Sequence, residues 1–321
     1  MSIRAKIISL PVAIALLVTL LMGGGMLYSG RNALQIMHDR DLDTAQAWLE
    51  ASVARTHKIA LAQAEVIASL PVVQEAVGAE DDMALEYLLG PGFEHMKSAA
   101  GLVQMQFHLA PATSLIRIHK LSKRGDDLSG FRQTVVDANA TGKSLSGLER
   151  GRAGLGARGV AVVRHEGKPV GTVEVGLDVG LPFLEGLAAR SGNHFEFYLL
   201  PDTDIETFNA ADQTDYRLGA TFDADPLLSA ADLVRLTSET HFDRDLTLDG
   251  AAFAMRALAI RDYAGDVTGV VTVLRPTDAY AAIGWTLAST GAFAALIAIA
   301  LGAGIGAITG RSLGKQFASI C

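Results

Sequence analysis

The chain has 321 residues, of which 50% are hydrophobic, 19% charged and 6% aromatic, and its formal net charge is −8. This composition excludes a disordered protein, and glycines without a three-residue period exclude a collagen-like one. The single cysteine, Cys321, cannot close an intrachain disulfide or build a multi-thiolate metal site. A disulfide scaffold and a zinc ribbon are therefore excluded. Because the histidines show no H-E-x-x-H or paired metal-ligand spacing either, we expect no metal, and we expect no cofactor. Because Cys321 is also the last residue, we expect the sequence to be a piece of a longer protein.

Two long stretches without any charge predict transmembrane helices. They cover residues 7–30 and 279–310, and each exceeds the roughly 20 residues that cross a bilayer core. The first is longer than the h-region of a secretory signal peptide, so we interpret it as an uncleaved anchor. Both tails carry basic but no acidic residues, so the positive-inside rule predicts that residues 1–6 and 311–321 are cytoplasmic. The basic residues are Arg4, Lys6, Arg311 and Lys315.

The segment between the predicted spans, residues 31–278, is expected to lie outside the cytoplasm. It contains all 35 acidic residues and 23 of the 27 basic ones, which gives it a net charge of −12. An acidic surface repels the phosphate backbone. We therefore expect no nucleic-acid partner.

Residues 31–70, the first part of this outer segment, are expected to form one long stalk helix. They include neither proline nor glycine, and their apolar residues recur at helical spacing. Pro71 is expected to end or kink this helix. A second helix is predicted over residues 81–99, broken by Gly90, Pro91 and Gly92.

Two groups of strands follow, in residues 71–194 and 195–278, with an acidic loop after the first strand of the second group. The turns between neighbouring strands are marked by proline, glycine and aspartate. Strands are predicted at residues 101–109, 114–120, 159–164 and 170–177, then at 195–200, 241–248, 251–260 and 267–275. Helices are predicted at residues 129–141, 181–190 and 229–237.

Several motifs resemble double Cache sensor domains. Gln-Phe-His-Leu-Ala-Pro-Ala-Thr-Ser at residues 106–114 resembles part of the membrane-distal half of such domains. Tyr-Ala-Gly-Asp-Val-Thr-Gly-Val-Val at residues 263–271 resembles the final hairpin of the membrane-proximal half. Further matches to the distal half are Arg117, His119 and residues 125–129, 147–149, 151–159 and 171–174.

This resemblance implies an α+β fold. It would consist of two PAS-like Cache modules with antiparallel sheets on a long N-terminal helix, flanked by two transmembrane helices. The membrane-distal module would be residues 71–194 and the membrane-proximal module residues 195–278. Residues 311–321 stand where such receptors begin a HAMP linker, although the proline usual there is absent. The resemblance further implies a bacterial inner-membrane protein with residues 31–278 periplasmic or extracellular.

Arg117 and His119 are the first candidates for ligand binding. They are two residues apart on a predicted strand, so both are expected on one face of the sheet. An arginine can bind a carboxylate through two hydrogen bonds and a histidine can add a third, which suits an anionic or zwitterionic metabolite. The alternatives are that both side chains face solvent, or that Arg117 pairs with Asp126 or Asp127.

Four more residues are weaker candidates for the same site. Arg132 and Arg158 flank the same predicted sheet and are expected to complete a cationic pocket, which Gln106 and His108 would shape. Together these residues predict that the ligand is a carboxylate or an amino acid.

Two other features are expected to be structural. Glu149 and Glu174 can accept an amine, but surface salt bridges are the preferred interpretation. Gly-Leu-Gly-Ala-Arg-Gly at residues 154–159 fits G-x-G-x-x-G, yet a strand rather than a helix is predicted to follow it, which favours a tight backbone path over a nucleotide site. The predicted salt-bridge partners of the two glutamates are Arg150, Arg152 and Lys168.

The leading functional hypothesis is the sensor region of a methyl-accepting chemotaxis receptor, with no enzymatic activity in the chain as given. It would pass ligand binding to cytoplasmic signalling proteins through an output domain beyond residue 321. The alternative is the sensor portion of a histidine kinase or a diguanylate cyclase, and a third hypothesis is a standalone binding protein. G-x-x-x-G spacing at Gly302, Gly306 and Gly310 favours a homodimer, although such spacing also arises incidentally in glycine-rich spans.

Overall fold

The computed structural model describes residues 3–151, 154–200 and 217–318. Arg152, Ala153, Cys321 and most of the acidic loop after residue 200 lie outside the described residues. The helices are α1 (Ile3–Ala68), α2 (Pro71–Gly78), α3 (Asp82–Ala100), α4 (Gln133–Thr141), α5 (Leu181–Ser191), α6 (Ala230–Arg235) and α7 (Asp278–Ala318). The strands are β1 (Leu102–Leu109), β2 (Thr113–Arg117), β3 (Leu145–Gly151), β4 (Gly154–His165), β5 (Lys168–Asp178), β6 (His194–Leu199), β7 (Arg217–Ala220), β8 (His241–Leu248), β9 (Ala251–Arg261) and β10 (Val267–Pro276).

The chain divides into two compact units. The first comprises Met1–Asp41, Asp249–Phe253 and Pro276–Cys321, and the second comprises Leu42–Leu248 and Ala254–Arg275. Within the first unit, the Tyr280 ring stacks on His38 with 5.9 Å between ring centroids. The Tyr280 hydroxyl also donates to the Asp41 carboxylate. These contacts join α1 to α7 inside that unit.

Helix α7 has the length and composition of a membrane span. The segment Asp278–Thr309 contains an 18-residue stretch with a mean hydropathy of 2.2. For α1 the test covers the described part from Leu17 onward, and this part passes only together with α2, as Leu17–Ala68 and Pro71–Gly78 with a bend of 79° between them. The span predicted at residues 7–30 therefore stays a prediction, as does the two-pass topology.

The first sheet has the strand order β2-β1-β5-β4-β3, with antiparallel neighbours. Side chains alternate between the two faces of a strand, and Met105, Phe107, Val173 and Val175 lie on the face that packs against α1, α2 and α3. Gly159 allows α1 to approach this sheet, because a Cβ atom there would fall on the backbone of residues 60 and 61. The opposite face is partly covered by α4 and by the segment that precedes it.

The second sheet repeats this order as β7-β6-β10-β9-β8. Phe195 and Phe197 on β6, with Val271 and Val273 on β10, form its buried apolar face. They pack against α5 and against Leu49 of α1. The second unit therefore contains two antiparallel five-stranded sheets that share one long helix, which confirms the predicted α+β class.

Most predicted elements are confirmed, including the end of α1 before Pro71. The predicted break at residues 90–92 is wrong, because α3 continues through Pro91 to Ala100. A proline removes one hydrogen bond to the carbonyl four residues earlier, and here that residue, Tyr87, is exposed and open to water. The helix ends instead at Gly101, whose φ of 67° suits glycine.

Three further differences concern strands. β3 and β7 are not predicted from the sequence, because β3 is interrupted by glycines and β7 has only four residues. β2 ends at Arg117 rather than at residue 120. The backbone turns there, with Lys120 N–H donating to the Arg117 carbonyl at 3.0 Å. His119 therefore lies beyond the strand, and the predicted alternation with Arg117 does not apply to it.

Candidate functional site

Polar side chains occupy the face of the first sheet that points away from α1, α2 and α3. On β1, Gln104, Gln106 and His108 alternate with the apolar residues of the opposite face. On the neighbouring strand β5, Thr172 lies opposite His108 and Glu174 lies opposite Gln106. All five are buried. Because a buried polar group is costly unless it is paired, their partners decide what this face can do.

Glu174 lies at the centre of a buried charged group, which we call the polar cluster. One carboxylate oxygen accepts from Arg132 Nη2 at 2.5 Å. Arg158 Nη1 lies 3.6 Å from the other oxygen, and His108 Nε2 lies 3.7 Å from the first. Burial by itself raises the pKa of Glu174, but the charges of Arg132 and Arg158 outweigh it and lower the pKa to about 2. Glu174 is therefore ionised at neutral pH.

Arg132 is held by a second carboxylate. Its Nε donates to Glu149 at 2.8 Å, and Glu149 also accepts from the Thr134 N–H at 2.9 Å and from the Thr134 hydroxyl at 2.5 Å. Burial opposes the charge of Arg132, yet Glu174 and Glu149 together raise its pKa. The N-terminal turn of α4 is thereby fixed to β3.

The expectation that Glu149 and Glu174 form surface salt bridges is wrong. Both are buried, and both pair with Arg132 rather than with Arg150 or Lys168. Arg150 donates instead to the Leu200 carbonyl at 2.5 Å. The physical reason is the position of both glutamates on central or covered strands, where only an internal partner is within reach.

Arg158 reaches the polar cluster because Gly176 lies opposite it. The two residues are paired across β4 and β5, and a Cβ atom on Gly176 would collide with the Arg158 guanidinium. This guanidinium donates to the Gln104 side-chain oxygen and, at 3.1 Å, to the Gly154 carbonyl. Burial lowers the pKa of Arg158 to about 10, despite the opposing effect of Glu174. The first and second glycines of G-x-G-x-x-G lie beside this arginine, not beside a helix N-terminus.

Arg117 forms a two-pronged ion pair with Asp126. The distances are 2.6 Å from Nη1 and 2.8 Å from Nη2 to the two carboxylate oxygens, and Nη1 also donates to the Lys123 carbonyl at 3.0 Å. Arg117 is buried. Of the arrangements considered from the sequence, the structure contains the pair with Asp126, which joins β2 to the loop that follows it.

The two histidines of the site are both neutral at physiological pH. Burial lowers the pKa of His108 to about 3 and that of His119 to about 4. His119 Nδ1 lies 3.1 Å from the Met105 carbonyl, and His108 Nδ1 lies 3.2 Å from the Thr172 hydroxyl. Glu174 acts on the pKa of both rings, so both lie beside the polar cluster.

Two buried atoms of the polar cluster have no hydrogen-bond partner among the described residues. They are His108 Nε2 and the Glu174 oxygen Oε1. Gln106, by contrast, donates to the Ser114 hydroxyl at 3.0 Å. A buried donor or acceptor without a hydrogen bond costs about 1–3 kcal/mol. A polar ligand group that bonds to these two atoms would therefore gain the most binding free energy.

The charges of the site balance. Arg117, Arg132 and Arg158 are matched by Asp126, Glu149 and Glu174. The predicted cationic pocket therefore has no excess positive charge in this arrangement. Because an uncompensated buried charge is strongly unfavourable, the site favours a ligand whose own charges sum to zero.

Four of the six predicted residues lie on this face of the first sheet, namely Gln106, His108, Arg117 and Arg158. Arg132 reaches the face from the segment before α4, and His119 lies beyond the end of β2. The central residue, Glu174, is not among the six. Period-two alternation with Val173 and Val175 marks Glu174 as a sheet-facing residue, and the same signal marks Gln104. Thr134 and Asp126 carry no such signal, because they lie outside the strands and reach the site only through turns of the chain. Within residues 3–151, 154–200 and 217–318, no three His, Cys, Asp or Glu side chains are arranged to hold a metal ion.

Several solved structures resemble this chain. The periplasmic domain of Vibrio cholerae LuxQ has a TM-score of 0.42 and 11% identity, covering 73% of this chain and 98% of that one. The sensor domain of the V. cholerae histidine kinase DctB has a TM-score of 0.41 and 11% identity, covering 76% and 98%. The ligand-binding domain of the Campylobacter jejuni chemoreceptor Tlp3, solved with L-valine, has a TM-score of 0.40 and 14% identity, covering 79% and 96%.

Sequence comparison supplies the family. No curated protein matches the chain. Residues 37–280 match the family described as the double sensory domain of two-component sensor kinases, a double Cache family. That match covers both sheets and the part of α1 from residue 37 onward. The chain therefore belongs to the double Cache family of sensory domains.

Proposed function

We propose that this chain is the sensor region of a two-pass inner-membrane receptor, and that its first-sheet module binds a small polar ligand outside the cytoplasm. The polar cluster carries the proposal, because it holds ionised and neutral polar groups in a buried setting. Two of its atoms, His108 Nε2 and Glu174 Oε1, have no hydrogen-bond partner among the residues that the structure describes. Membership of a sensory family supports the same role. Ligand binding, rather than catalysis, is the chemistry these groups suit.

An amino acid is the ligand class that fits the charge balance. Its carboxylate would accept hydrogen bonds from the guanidinium of Arg158 or Arg132. Its ammonium would donate to the Glu174 oxygen that has no hydrogen-bond partner among the described residues. A zwitterion adds no net charge to a cluster whose three cations already have three anions. A simple carboxylate would have to displace one of the internal carboxylates, so we rank it second.

Strand β3 offers a route for the signal. Glu149 contacts the polar cluster, and its neighbours Leu148 and Arg150 contact the second sheet through Tyr263 and Leu200. A ligand that favours one arrangement of the polar cluster would shift the position of β3, since binding biases a conformational equilibrium only through differential affinity. The shift would then pass through the second sheet to α7.

The output is proposed to be of the methyl-accepting chemotaxis type, with a histidine kinase as the second candidate. The family description favours the kinase, because it names two-component sensor kinases. Sequence downstream of residue 321 distinguishes them. A chemoreceptor continues into a long heptad-patterned helical hairpin, whereas a kinase continues into a phosphoacceptor histidine helix and an ATP-binding domain.

The topology rests on composition. Within α7, the segment Asp278–Thr309 contains an 18-residue stretch with a mean hydropathy of 2.2, and basic residues flank both predicted spans. Periplasmic reporter fusions after residue 130 should be active, and fusions at residue 318 should be inactive. The opposite pattern would overturn the topology.

The ligand proposal is tested by calorimetric titration of the full chain in nanodiscs with the twenty amino acids and a set of small carboxylates. We expect at least one amino acid to bind, and Arg158→Gln to weaken it by about tenfold or more, since an ionic hydrogen bond contributes about 1.5–3 kcal/mol. Arg164→Gln, an exposed site on the same strand, is the matched control. Unchanged affinity in Arg158→Gln would remove this residue from the site.

A further inference from the structure

A cavity lies where α1, β3 and β9 meet, and it has a volume of about 730 Å³. One side is the face of α1 that carries Glu50, Ala54 and His57, and another is the edge of β3 from Ser146 to Leu148. The last residues of β9 and the turn after it close the third side. Pockets of about 300–1,000 Å³ are the usual size for small-molecule ligands.

None of the residues that line this cavity belongs to the polar cluster. Aliphatic side chains form part of its wall, which provides for an apolar ligand body. The larger ones are Leu49, Val53, Leu148, Leu258 and Ile260. They come from all three sides, so an apolar body in the cavity would contact both sheets and α1 together.

The rim of the cavity carries more acid than base. Glu50 and Asp262 supply two carboxylates, and Arg261, whose Nη1 donates to the Gly265 carbonyl at 2.9 Å, supplies one cation. His57 Nδ1 lies 3.1 Å from the Ser146 hydroxyl, and burial lowers the His57 pKa, so it adds no charge at neutral pH. With both lining histidines, His57 and His241, counted as neutral, the rim has a formal net charge of −1 and favours a cation.

The cavity also adjoins the contact between the two sheets. The Tyr263 N–H donates to the Leu148 carbonyl at 2.7 Å, and both residues line the cavity. The Tyr263 ring packs so closely on Gly147 that a Cβ atom there would lie 3.1 Å from it. A molecule bound here would touch the residues through which β3 meets the second sheet.

We propose that this cavity is a second binding site of the sensor, for a small organic cation with an apolar body. The apolar body packs against the aliphatic side chains, and the carboxylates of Glu50 and Asp262 attract the cation. The site is independent of the ligand proposed for the polar cluster. Its occupant modulates the receptor by acting on the Tyr263–Leu148 contact.

Phenethylamine is a suitable probe, because it joins an ammonium group to a phenyl ring. Calorimetric titration into the full chain in zwitterionic nanodiscs, with empty nanodiscs subtracted, should give a dissociation constant of about 1 mM or lower, as expected for a ligand of this size. The anion 3-phenylpropionate, of similar shape, should bind more weakly. No phenethylamine binding up to about 10 mM, or equal affinity for the anion, would overturn the proposal.

Two pairs of variants locate the site. Ala54→Trp fills the cavity and should weaken phenethylamine by about tenfold or more, whereas Ala62→Trp, on an exposed part of the same helix, should not. Glu50→Gln should weaken it by about two- to fivefold, as for an exposed ion pair, and Glu65→Gln, also exposed on α1, should have no effect. Binding that survives Ala54→Trp would overturn the proposal, and that result would leave the amino-acid site untouched.

Discussion

Glu149 and Arg150 are consecutive residues of β3, and their side chains bind different sheets. The Glu149 carboxylate accepts from Arg132 at 2.8 Å within the polar cluster, whereas the Arg150 guanidinium donates to the Leu200 carbonyl at 2.5 Å, at the end of the second sheet's strand β6. Alternation along a strand sends neighbouring side chains to opposite faces. β3 therefore connects the proposed ligand site to the second sheet within a single dipeptide.

Removing the hydrogen bond from Arg150 to the Leu200 carbonyl should lower the stability of the protein. Arg150→Met keeps most of the apolar stem but leaves the buried Leu200 carbonyl without this donor. An unsatisfied buried group costs about 1–3 kcal/mol, and we expect a loss of this size in the free energy of unfolding, measured by urea denaturation. Arg164→Met, exposed on β4, is the control. Equal stability of the two variants would show that the Arg150 bond contributes little.

Gly159 should be the glycine least tolerant of substitution in the first sheet. A Cβ atom there would meet the backbone of residues 60 and 61, and backbone atoms cannot move aside as a flexible side chain can. Gly159→Ala should therefore force α1 away from the sheet and destabilise the protein by about 1–3 kcal/mol or more, seen as a lower melting temperature.

Gly186→Ala on α5 is the matched control for this prediction. No atom lies within 4 Å of its Cβ position, and alanine is favoured over glycine in a helix by about 0.5–1 kcal/mol. The melting temperature should rise slightly. A Gly159→Ala variant as stable as Gly186→Ala would mean that α1 does not approach β4 as described.

Local patterns predict most of this fold. The unbroken apolar period of residues 31–70 predicts the outer part of α1, and Asp-Gly and Gly-Asp turns predict the β8–β9 and β9–β10 hairpins. β3 escapes prediction because Gly147 and Gly151 weaken its strand signal, although tertiary contacts hold it. The prediction at Pro91 is wrong because the effect of a proline on a helix depends on whether water can reach the freed carbonyl.

The candidate site is less predictable. Alternation places Gln106 and His108 on one face, but it cannot say which of the two faces is covered. From the sequence, Glu149 and Glu174 are expected at the surface. They can be buried because Arg132, in the segment before α4, forms ion pairs with both of them. Ion pairs between residues far apart in the sequence leave no local sequence pattern. The charge balance of the site can therefore be recognised only from the structure.

Glu174 should be the acidic residue on which stability depends most. Glu174→Gln keeps the shape but removes the carboxylate that lies 3.6 Å from the buried Arg158 guanidinium. Breaking one partner of a buried ion pair costs about 3–5 kcal/mol, so the urea midpoint should fall sharply. Glu239→Gln, in an exposed pair with Arg235, should have no measurable effect.

A second variant tests the cause of that loss. If the unpaired charge of Arg158 is responsible, Arg158→Met in the Glu174→Gln background should recover part of the stability, and a double-mutant cycle measures the coupling. Additive losses in the two variants would contradict an interaction between Glu174 and Arg158.

Stability should fall as the pH is lowered from 7 to 3, and the buried histidines should dominate the upper part of this range. The folded pKa of His108 is about 3 and that of His119 about 4, both below the usual 6.5 because of burial. Below pH 6.5 the unfolded chain therefore binds protons that the folded chain does not, which favours unfolding by up to about 1.4 kcal/mol per pH unit for each histidine.

Glu174 adds a separate effect at lower pH. Its pKa is lowered from 4.5 to about 2 in the folded protein, so its stabilisation is complete above pH 4.5 and is lost between pH 4.5 and 2. Urea denaturation at intervals from pH 7 to 3 should show both regions. His108→Gln should make the curve less steep from pH 6.5 down to about 3 and keep the loss due to His119 and Glu174. His95→Gln, at an exposed site on α3, should follow the parent curve. A His108→Gln curve parallel to the parent would show that His108 is not buried as a neutral ring.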